Sequence, residues 1–306
     1  MTFTRRIKAL AALLALLLTA TVLTGCNTAQ YAQSGQTIIP AKDVAAYIGQ
    51  NGVTIVDMQS AEGYAAGHVQ GAVHIAQEDI VISVPVKNML TSKNKLQKLL
   101  GERGITADTK LVVYDDNRMN AARFFWTLLM YQNENVLVVD GGLAAIRAAG
   151  IPLTAEVPTP APAEYVAGEK DALWLATAAD VLAQVNEPDK NTVLLDVRTE
   201  AEYLADGKVP SSLLWDYANL FYPDNTLKDV QTTRISMIEL GIRPENSVIL
   251  YCQTSMRAAP VFLRLYDAGY RNIRLYDGAY LEWSQNPNNP IDRPAGTVAP
   301  SNKDAS

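Results

Sequence analysis

Two stretches of this chain repeat each other at a nearly constant spacing, and no other feature of the sequence constrains the fold as strongly. An Ile55-Val56-Asp57 segment has its counterpart 139 residues later in Leu194-Leu195-Asp196. A drift of two residues that later cancels is what loop changes in a duplicated domain produce. The chain of 306 residues therefore carries two copies of one domain. The motifs that recur at a spacing of 137 residues are Asp43-Val44 with Asp180-Val181, Gly104-Ile105 with Gly241-Ile242, Tyr114 with Tyr251, Ala121-Ala122 with Ala258-Ala259, and Asp140-Gly141 with Asp277-Gly278.

Each copy alternates strand patterns with helix patterns. In the second copy, Val193–Val197, Val248–Tyr251 and Ile273–Tyr276 are short apolar runs, which are typical of buried parallel strands. Apolar residues recur at helical spacing within Met256–Ala268, and Asp180–Val185 also has a helical pattern. This alternation predicts an α/β fold in which each copy is a parallel β-sheet flanked by helices on both faces.

Cys252 occupies the position at which such sheets bind ligands, because it directly follows a strand and precedes a helix. Unpaired backbone N–H groups at a helix start form an anion-binding nest, which the helix dipole reinforces. A thiolate is stabilised there, so we expect Cys252 to be a more reactive nucleophile than a free cysteine. Arg257 adds a permanent positive charge to the same loop, and Thr254 and Ser255 add hydroxyl groups.

The segment Tyr251–Ala258 resembles the active-site loop of the rhodanese family. Other motifs of that family are similar to Tyr276–Trp283, to Leu195–Arg198 with the following Glu202-Tyr203, and to Gly67–Ala72. The resemblance extends over about residues 37 to 290. It implies two rhodanese-like domains, each with a parallel β-sheet and helices on both faces.

The resemblance also implies a sulfurtransferase that works by double displacement. The Cys252 thiolate would take a sulfane sulfur from a small anionic donor such as thiosulfate, and the resulting persulfide would pass that sulfur to cyanide or a thiol. This chemistry requires neither a metal nor an organic cofactor. The implied catalytic residues are Cys252 and Arg257, and the implied substrate-binding residues are Gln253, Thr254, Ser255, Met256, Asp196 and Arg198.

The first copy lacks the residues that this chemistry requires. Asp115 stands at the position of Cys252, and Asn120 stands at the position of Arg257. A carboxylate is a poor sulfur acceptor and repels an anionic substrate. We therefore expect the first domain to be catalytically inactive.

The second copy departs from the family pattern at three places. Ser255 stands where many family loops have glycine, and Lys208–Ser211 replaces the usual glycine-histidine segment. Glu202 stands where well-studied thiosulfate enzymes often have an additional basic residue. These departures leave the physiological sulfur donor open.

Two other functions are compatible with the loop. Some phosphatases and arsenate reductases also use a Cys-to-Arg loop, but theirs holds one residue more than the four between Cys252 and Arg257, which makes room for a tetrahedral oxyanion. Alternatively, the protein is a non-enzymatic binding module at the cell surface, in which Cys252 is incidental. Mass spectrometry after incubation with thiosulfate distinguishes these functions from sulfur transfer.

The N-terminus has the pattern of a lipoprotein signal peptide. Positive residues precede an apolar run over residues 9–20, which is shorter than the roughly 20 residues of a membrane span. The run ends in Leu23-Thr24-Gly25-Cys26, a lipobox, so we expect Cys26 to be diacylated and to become the mature N-terminus. Two acyl chains anchor a protein stably, which places this one in the cell envelope, on the outer face of a membrane.

The remaining composition narrows the partners and the domain boundaries. Removal of Arg5, Arg6 and Lys8 with the signal takes the net charge from −6 to −9, which argues against nucleic-acid binding. Cys252 is then the one free thiol, and we expect a monomer. The predicted segments are a signal peptide at 1–25, a tether at 26–36, an inactive rhodanese-like domain at 37–153, a Pro-rich linker at 154–172, a catalytic rhodanese-like domain at 173–290 and a tail at 291–306.

Overall fold

The computed structural model describes residue 31 and residues 34–294. The predicted signal peptide, the lipidated Cys26, most of the tether and the tail from residue 295 lie outside the described residues. No helix in the described part of the chain is both long enough and apolar enough to cross a membrane.

A five-stranded parallel sheet forms the centre of the first copy. Its strands are β1 (Ile38–Ile39), β2 (Val53–Asp57), β4 (Val73–His74), β7 (Lys110–Tyr114) and β8 (Val136–Val139). They lie in the order β1-β8-β7-β2-β4, and every neighbouring pair is parallel. Two short antiparallel pairs accompany the sheet: β3 (His68–Val69) with β9 (Leu153–Thr154), and β5 (Val81–Ile82) with β6 (Met89–Leu90).

The second copy repeats this sheet strand for strand. Its strands are β10 (Leu175–Ala176), β11 (Thr192–Asp196), β12 (Leu213–Leu214), β13 (Ser247–Tyr251) and β14 (Ile273–Tyr276). Their order is β10-β14-β13-β11-β12, again with parallel neighbours throughout. The matching order confirms the duplication that the sequence repeat predicted.

The helices flank both sheets, which confirms the predicted α/β class. In the first copy they are α1 (Ala61–Ala66), α2 (Lys93–Glu102), α3 (Asn120–Met130) and α4 (Gly142–Ala148). In the second copy they are α5 (Ala178–Asn186), α6 (Glu200–Asp206), α7 (Val230–Glu239), α8 (Ala258–Asp267) and α9 (Ala279–Gln285). Short 3₁₀ helices occupy Ala41–Tyr47, Gln77–Asp79, Ala172–Trp174 and Tyr217–Leu220.

Apolar side chains cover the first sheet on both faces. Along its strands, Ile55 and Val112 join one buried cluster, while their neighbours Val56 and Val113 join another. Because successive strand residues point to opposite faces, a sheet covered on both sides needs the nearly continuous apolar strands that the sequence shows.

The two copies share one hydrophobic core. Helices α3 and α8, which are equivalent in the repeat, pack against each other and contribute to the same buried cluster. Phe125 of α3 and Tyr266 of α8 meet edge to face, with 5.3 Å between ring centroids. The described residues accordingly belong to a single compact unit.

The Pro-rich linker is extended, and it packs against the first copy. Residues 155–171 have no regular secondary structure, yet Tyr165 is buried and its hydroxyl accepts a hydrogen bond from the Asn133 side chain at 2.9 Å. The Ala163 amide donates to the Gly101 carbonyl at 2.9 Å. A Cβ on Gly101 would lie 2.6 Å from the Ala163 carbonyl oxygen, so this close approach requires glycine. These contacts therefore hold the linker in place against the first copy.

Both ends of the described chain are also attached to the second copy. The Gly35 and Thr37 amides donate to the backbone and side-chain oxygens of Asp267, each at 2.8 Å. At the other end, Asp292 forms a β-bridge and an ion pair of 3.2 Å with Lys208. The predicted tether and the predicted tail thus each include a residue that binds the second copy, Gly35 and Asp292.

Candidate active site

Cys252 lies where the sequence predicted, at the carboxyl end of a central strand. It directly follows β13, and the loop that it opens ends at Arg257, just before α8. The Tyr280 amide donates to the Cys252 carbonyl at 3.0 Å, so the start of α9 holds the loop. The cysteine is only 1% exposed.

Ser255 has a left-handed backbone conformation, with φ of 63°. Such a conformation costs a residue other than glycine on the order of 1 kcal/mol or more. The Ser255 hydroxyl lies 2.7 Å from the carbonyl oxygens of both Tyr276 and Asp277 and donates to this pair, which offsets the cost. This explains how serine can replace the family's glycine at this position. The equivalent Arg118 has φ of 66°, so both copies share the turn.

In the first copy, the loop fills its own anion-binding nest. The Asp115 carboxylate accepts hydrogen bonds from the amides of Arg118 at 3.1 Å and Ala121 at 3.0 Å. The Asn117 side-chain oxygen accepts from the two amides between them, at 3.0 and 3.1 Å. An added anion would find these four donors occupied and a carboxylate already in place.

In the second copy, the four equivalent amides are available. They belong to residues 255–258, and none of them has a hydrogen-bond partner within the described chain. Cys252 replaces the carboxylate of Asp115, and Thr254 replaces Asn117. The buried sulfur and these backbone donors together form a site that can hold a negative charge next to a nucleophile.

Arg257 is at the loop, but its charge is compensated. Its guanidinium donates to both carboxylate oxygens of Glu202, at 2.6 and 2.7 Å. Burial raises the pKa of Glu202, but hydrogen bonds from Arg257 and Thr199 outweigh it and lower that pKa to about 2. We expected Arg257 to supply a free positive charge. Its charge is instead paired with the Glu202 carboxylate, a pairing that the sequence did not predict.

Asp196 and Arg198 are placed differently from the expectation. Both are fully buried and pair with each other, with 2.8 Å between Arg198 Nη2 and Asp196 Oδ2. Arg198 also donates to the Gly207 carbonyl and stacks on Tyr280, 3.7 Å from the ring centroid. Because their charged groups are used within the protein interior, they support the framework beneath the loop. The geometry does not support the substrate contact that we expected of them.

The other predicted binding residues remain on the loop. Gln253 and Thr254 are half-buried, whereas Met256 is buried. The Gln253 side-chain oxygen is buried and has no hydrogen-bond partner among the described residues. Thr254 Oγ1 accepts from Asn88 Nδ2 of the first copy at 3.1 Å.

This last contact belongs to a set of hydrogen bonds between the two copies, here called the clamp, which the sequence did not predict. Arg123 of the first copy is fully buried and donates to Asp277 Oδ1 at 2.6 Å and to the Asn88 carbonyl at 2.7 Å. The Leu90 amide donates to Asp277 Oδ2 at 2.8 Å. The first copy thus holds two elements that shape the Cys252 loop, namely Thr254 and the segment that anchors Ser255.

The sequence repeat relates part of this clamp to an equivalent contact in the other direction. Asp140, the counterpart of Asp277, accepts from the Leu227 amide at 2.8 Å, and Leu227 is the counterpart of Leu90. Each aspartate thus accepts a hydrogen bond from the equivalent leucine amide of the other copy.

Comparison with known proteins identifies the family of this chain. The family model for the rhodanese-like domain matches residues 40–149 and 177–286. The chain belongs to the rhodanese family. The resemblance and the two rhodanese-like domains expected from the sequence are thereby confirmed.

Similar members of the family include named sulfurtransferases. The chain is 26% identical over 264 residues to a thiosulfate sulfurtransferase of Azotobacter vinelandii, a match that covers 83% of this chain and 96% of that protein. It is 30% identical over 239 residues to the sulfur carrier protein TtuD of Thermus thermophilus, covering 72% and 83%. The crystal structure of the 3-mercaptopyruvate sulfotransferase SseA from Escherichia coli matches with a TM-score of 0.72 and 25% identity, covering 80% and 99%.

Proposed function

We propose that this protein is a sulfurtransferase that carries a sulfane sulfur as a persulfide on Cys252. The main support is the contrast between the two loops. In the first, Asp115 and Asn117 occupy the four backbone donors, whereas in the second the equivalent donors lie beside a thiol and have no partner among the described residues. The names of the relatives favour the same activity.

The proposed reaction has two steps. The Cys252 thiolate attacks the outer sulfur of thiosulfate, the sulfur–sulfur bond of the donor breaks, and sulfite leaves with the bonding electrons. The persulfide anion that remains lies where the amides of residues 255–258 can donate to it. Cyanide or a thiolate then attacks the outer sulfur, forms thiocyanate or a new persulfide, and returns Cys252 as the thiolate.

Direct mass measurement of the protein tests this proposal. After incubation with thiosulfate or 3-mercaptopyruvate, we expect the intact protein to gain one sulfur atom, mapped to Cys252, and to lose it on addition of cyanide. A protein that instead gained a phosphoryl group from a phosphate ester would be a phosphatase. No added mass with any donor would favour the binding-module function.

Asp115 should not be required for turnover. We expect Asp115→Ala to keep kcat/KM for thiocyanate formation within about threefold of wild type, since its carboxylate serves only its own loop. Asp115→Asn, which keeps an acceptor for the amides of Arg118 and Ala121, controls for lost stability. If both variants lost activity as completely as a Cys252 variant, the first copy would take part in the chemistry.

We further propose that the mature chain is a monomer held at the outer face of a membrane by lipid on Cys26. Cys26→Ala should move the protein from the membrane fraction to the soluble fraction and abolish incorporation of labelled fatty acid. Cys252→Ser is the matched control, because it removes the other cysteine and should leave both readouts unchanged. Continued membrane association of the Cys26 variant would contradict lipid anchoring.

A further inference from the structure

The ion pair between Glu202 and Arg257 decides the charge that a donor meets. Arg257 is the only cationic residue of the loop from Cys252 to Arg257, and both nitrogens of its fork bind the Glu202 carboxylate. The two side chains are 27% and 21% exposed, so water screens the pair only in part. A donor that approaches the loop amides therefore meets a compensated guanidinium.

The position of Glu202 is held by its own helix. The same carboxylate oxygen that binds Arg257 Nη1 also accepts from the amide and the hydroxyl of Thr199, both at 3.0 Å. Thr199 is the N-cap of α6, and Glu202 completes its capping box. Arg257 directly precedes α8, so helix starts on both sides fix the backbone of the pair.

We propose that Glu202 is a specificity-determining residue that makes this active site prefer sulfur donors with a single negative charge over the thiosulfate dianion. The proposal rests on the sulfurtransferase function proposed above. The carboxylate repels each negative charge of a donor, so the penalty for a dianion is about twice that for a monoanion. 3-Mercaptopyruvate, with one carboxylate, is a donor of the favoured class; its sulfur passes to Cys252 as the carbon–sulfur bond breaks, and the pyruvate enolate takes up a proton.

The test compares two donors in wild type and in Glu202→Gln. The glutamine keeps an oxygen that can accept from Thr199, so the capping box remains, but the negative charge is lost. We expect kcat/KM to rise about tenfold for thiosulfate and about threefold for 3-mercaptopyruvate. The thiosulfate to mercaptopyruvate ratio should thus increase about threefold.

Two variants control for net charge and for geometry. Glu200→Gln removes an exposed carboxylate from the same helix that has no partner within the described chain, and it should leave the ratio unchanged. Glu202→Asp keeps the charge, and the ratio should stay at the wild-type value even if both rates fall. A Glu202→Gln variant whose ratio is unchanged or lower would overturn the proposal.

Ionic strength provides a second test. Salt screens the repulsion between the donor and Glu202, so the thiosulfate to mercaptopyruvate ratio should rise with ionic strength more steeply in wild type than in Glu202→Gln, which keeps every other charge of the protein. Equal slopes in the two proteins would contradict the proposal. The mass measurement distinguishes failure of this proposal from failure of the proposed function, because a protein that gains sulfur from neither donor would contradict the proposed function itself.

Discussion

Cys252→Ser is expected to lose sulfur transfer almost completely. A serine hydroxyl at the end of β13 can occupy the volume of the thiol, but it does not form a persulfide at neutral pH. Removal of a covalent nucleophile costs on the order of 10⁴-fold or more in turnover. We expect no sulfur mass on the protein and no thiocyanate above the uncatalysed rate.

The change is conservative enough to leave the fold intact, which makes the result interpretable. Cys252 is buried in the shared core, so the unfolding temperature of the serine variant is the necessary control. Cys26→Ala is the matched cysteine variant and should take up sulfur as wild type does. Substantial turnover by Cys252→Ser would exclude Cys252 as the sulfur carrier.

Arg123→Leu is expected to be among the most destabilising single changes in this protein. It leaves the Asp277 carboxylate, which is 4% exposed, without its counter-charge at the boundary between the two copies. Breaking a buried ion pair in this way costs about 3–5 kcal/mol. Because Arg123 Nε and Nη1 are buried and have no hydrogen-bond partner among the described residues, their removal offsets part of the loss, and we expect a value of about 3 kcal/mol.

Urea denaturation, monitored by tryptophan fluorescence, measures this effect. The exposed Arg147, which forms no ion pair in the described chain, provides the control, and Arg147→Leu should change the unfolding free energy by less than about 0.5 kcal/mol. Adding Asp277→Asn to Arg123→Leu should recover part of the stability, because the buried charge is then gone. A loss below about 1 kcal/mol in the single variant would show that the clamp contributes little.

The sequence predicts the strands and their order along the chain because short patterns of apolar and polar residues encode them. Strand β14 was predicted with its observed ends, since its apolar run is bounded by polar residues on both sides. The repeat predicted two equal sheets. The strand pattern before Cys252 and the helix pattern after it placed this residue at the carboxyl edge of the second sheet. The presence of Asp115 at the position of Cys252 predicts an inactive first copy, and the filling of its nest by Asn117 was visible only in the structure.

The electrostatic partners of the site depended on tertiary contacts. Glu202 and Arg257 are 55 residues apart, and Arg123 and Asp277 are 154 apart, so no helical or strand period relates them. The residue types were visible, but their pairing depends on which loops the two sheets bring together.

For this protein, the sequence by itself determined the duplicated α/β architecture, the family and the position of Cys252, because strand and helix patterns and family motifs are local and the repeat is visible in the residues themselves. Only the tertiary structure decided that Arg257 is neutralised by Glu202, that Asp196 and Arg198 pair with each other, and that the first copy clamps the Cys252 loop. The physical reason is that a charge binds whichever opposite charge packing places within about 3 Å, and packing joins residues that are remote in the chain.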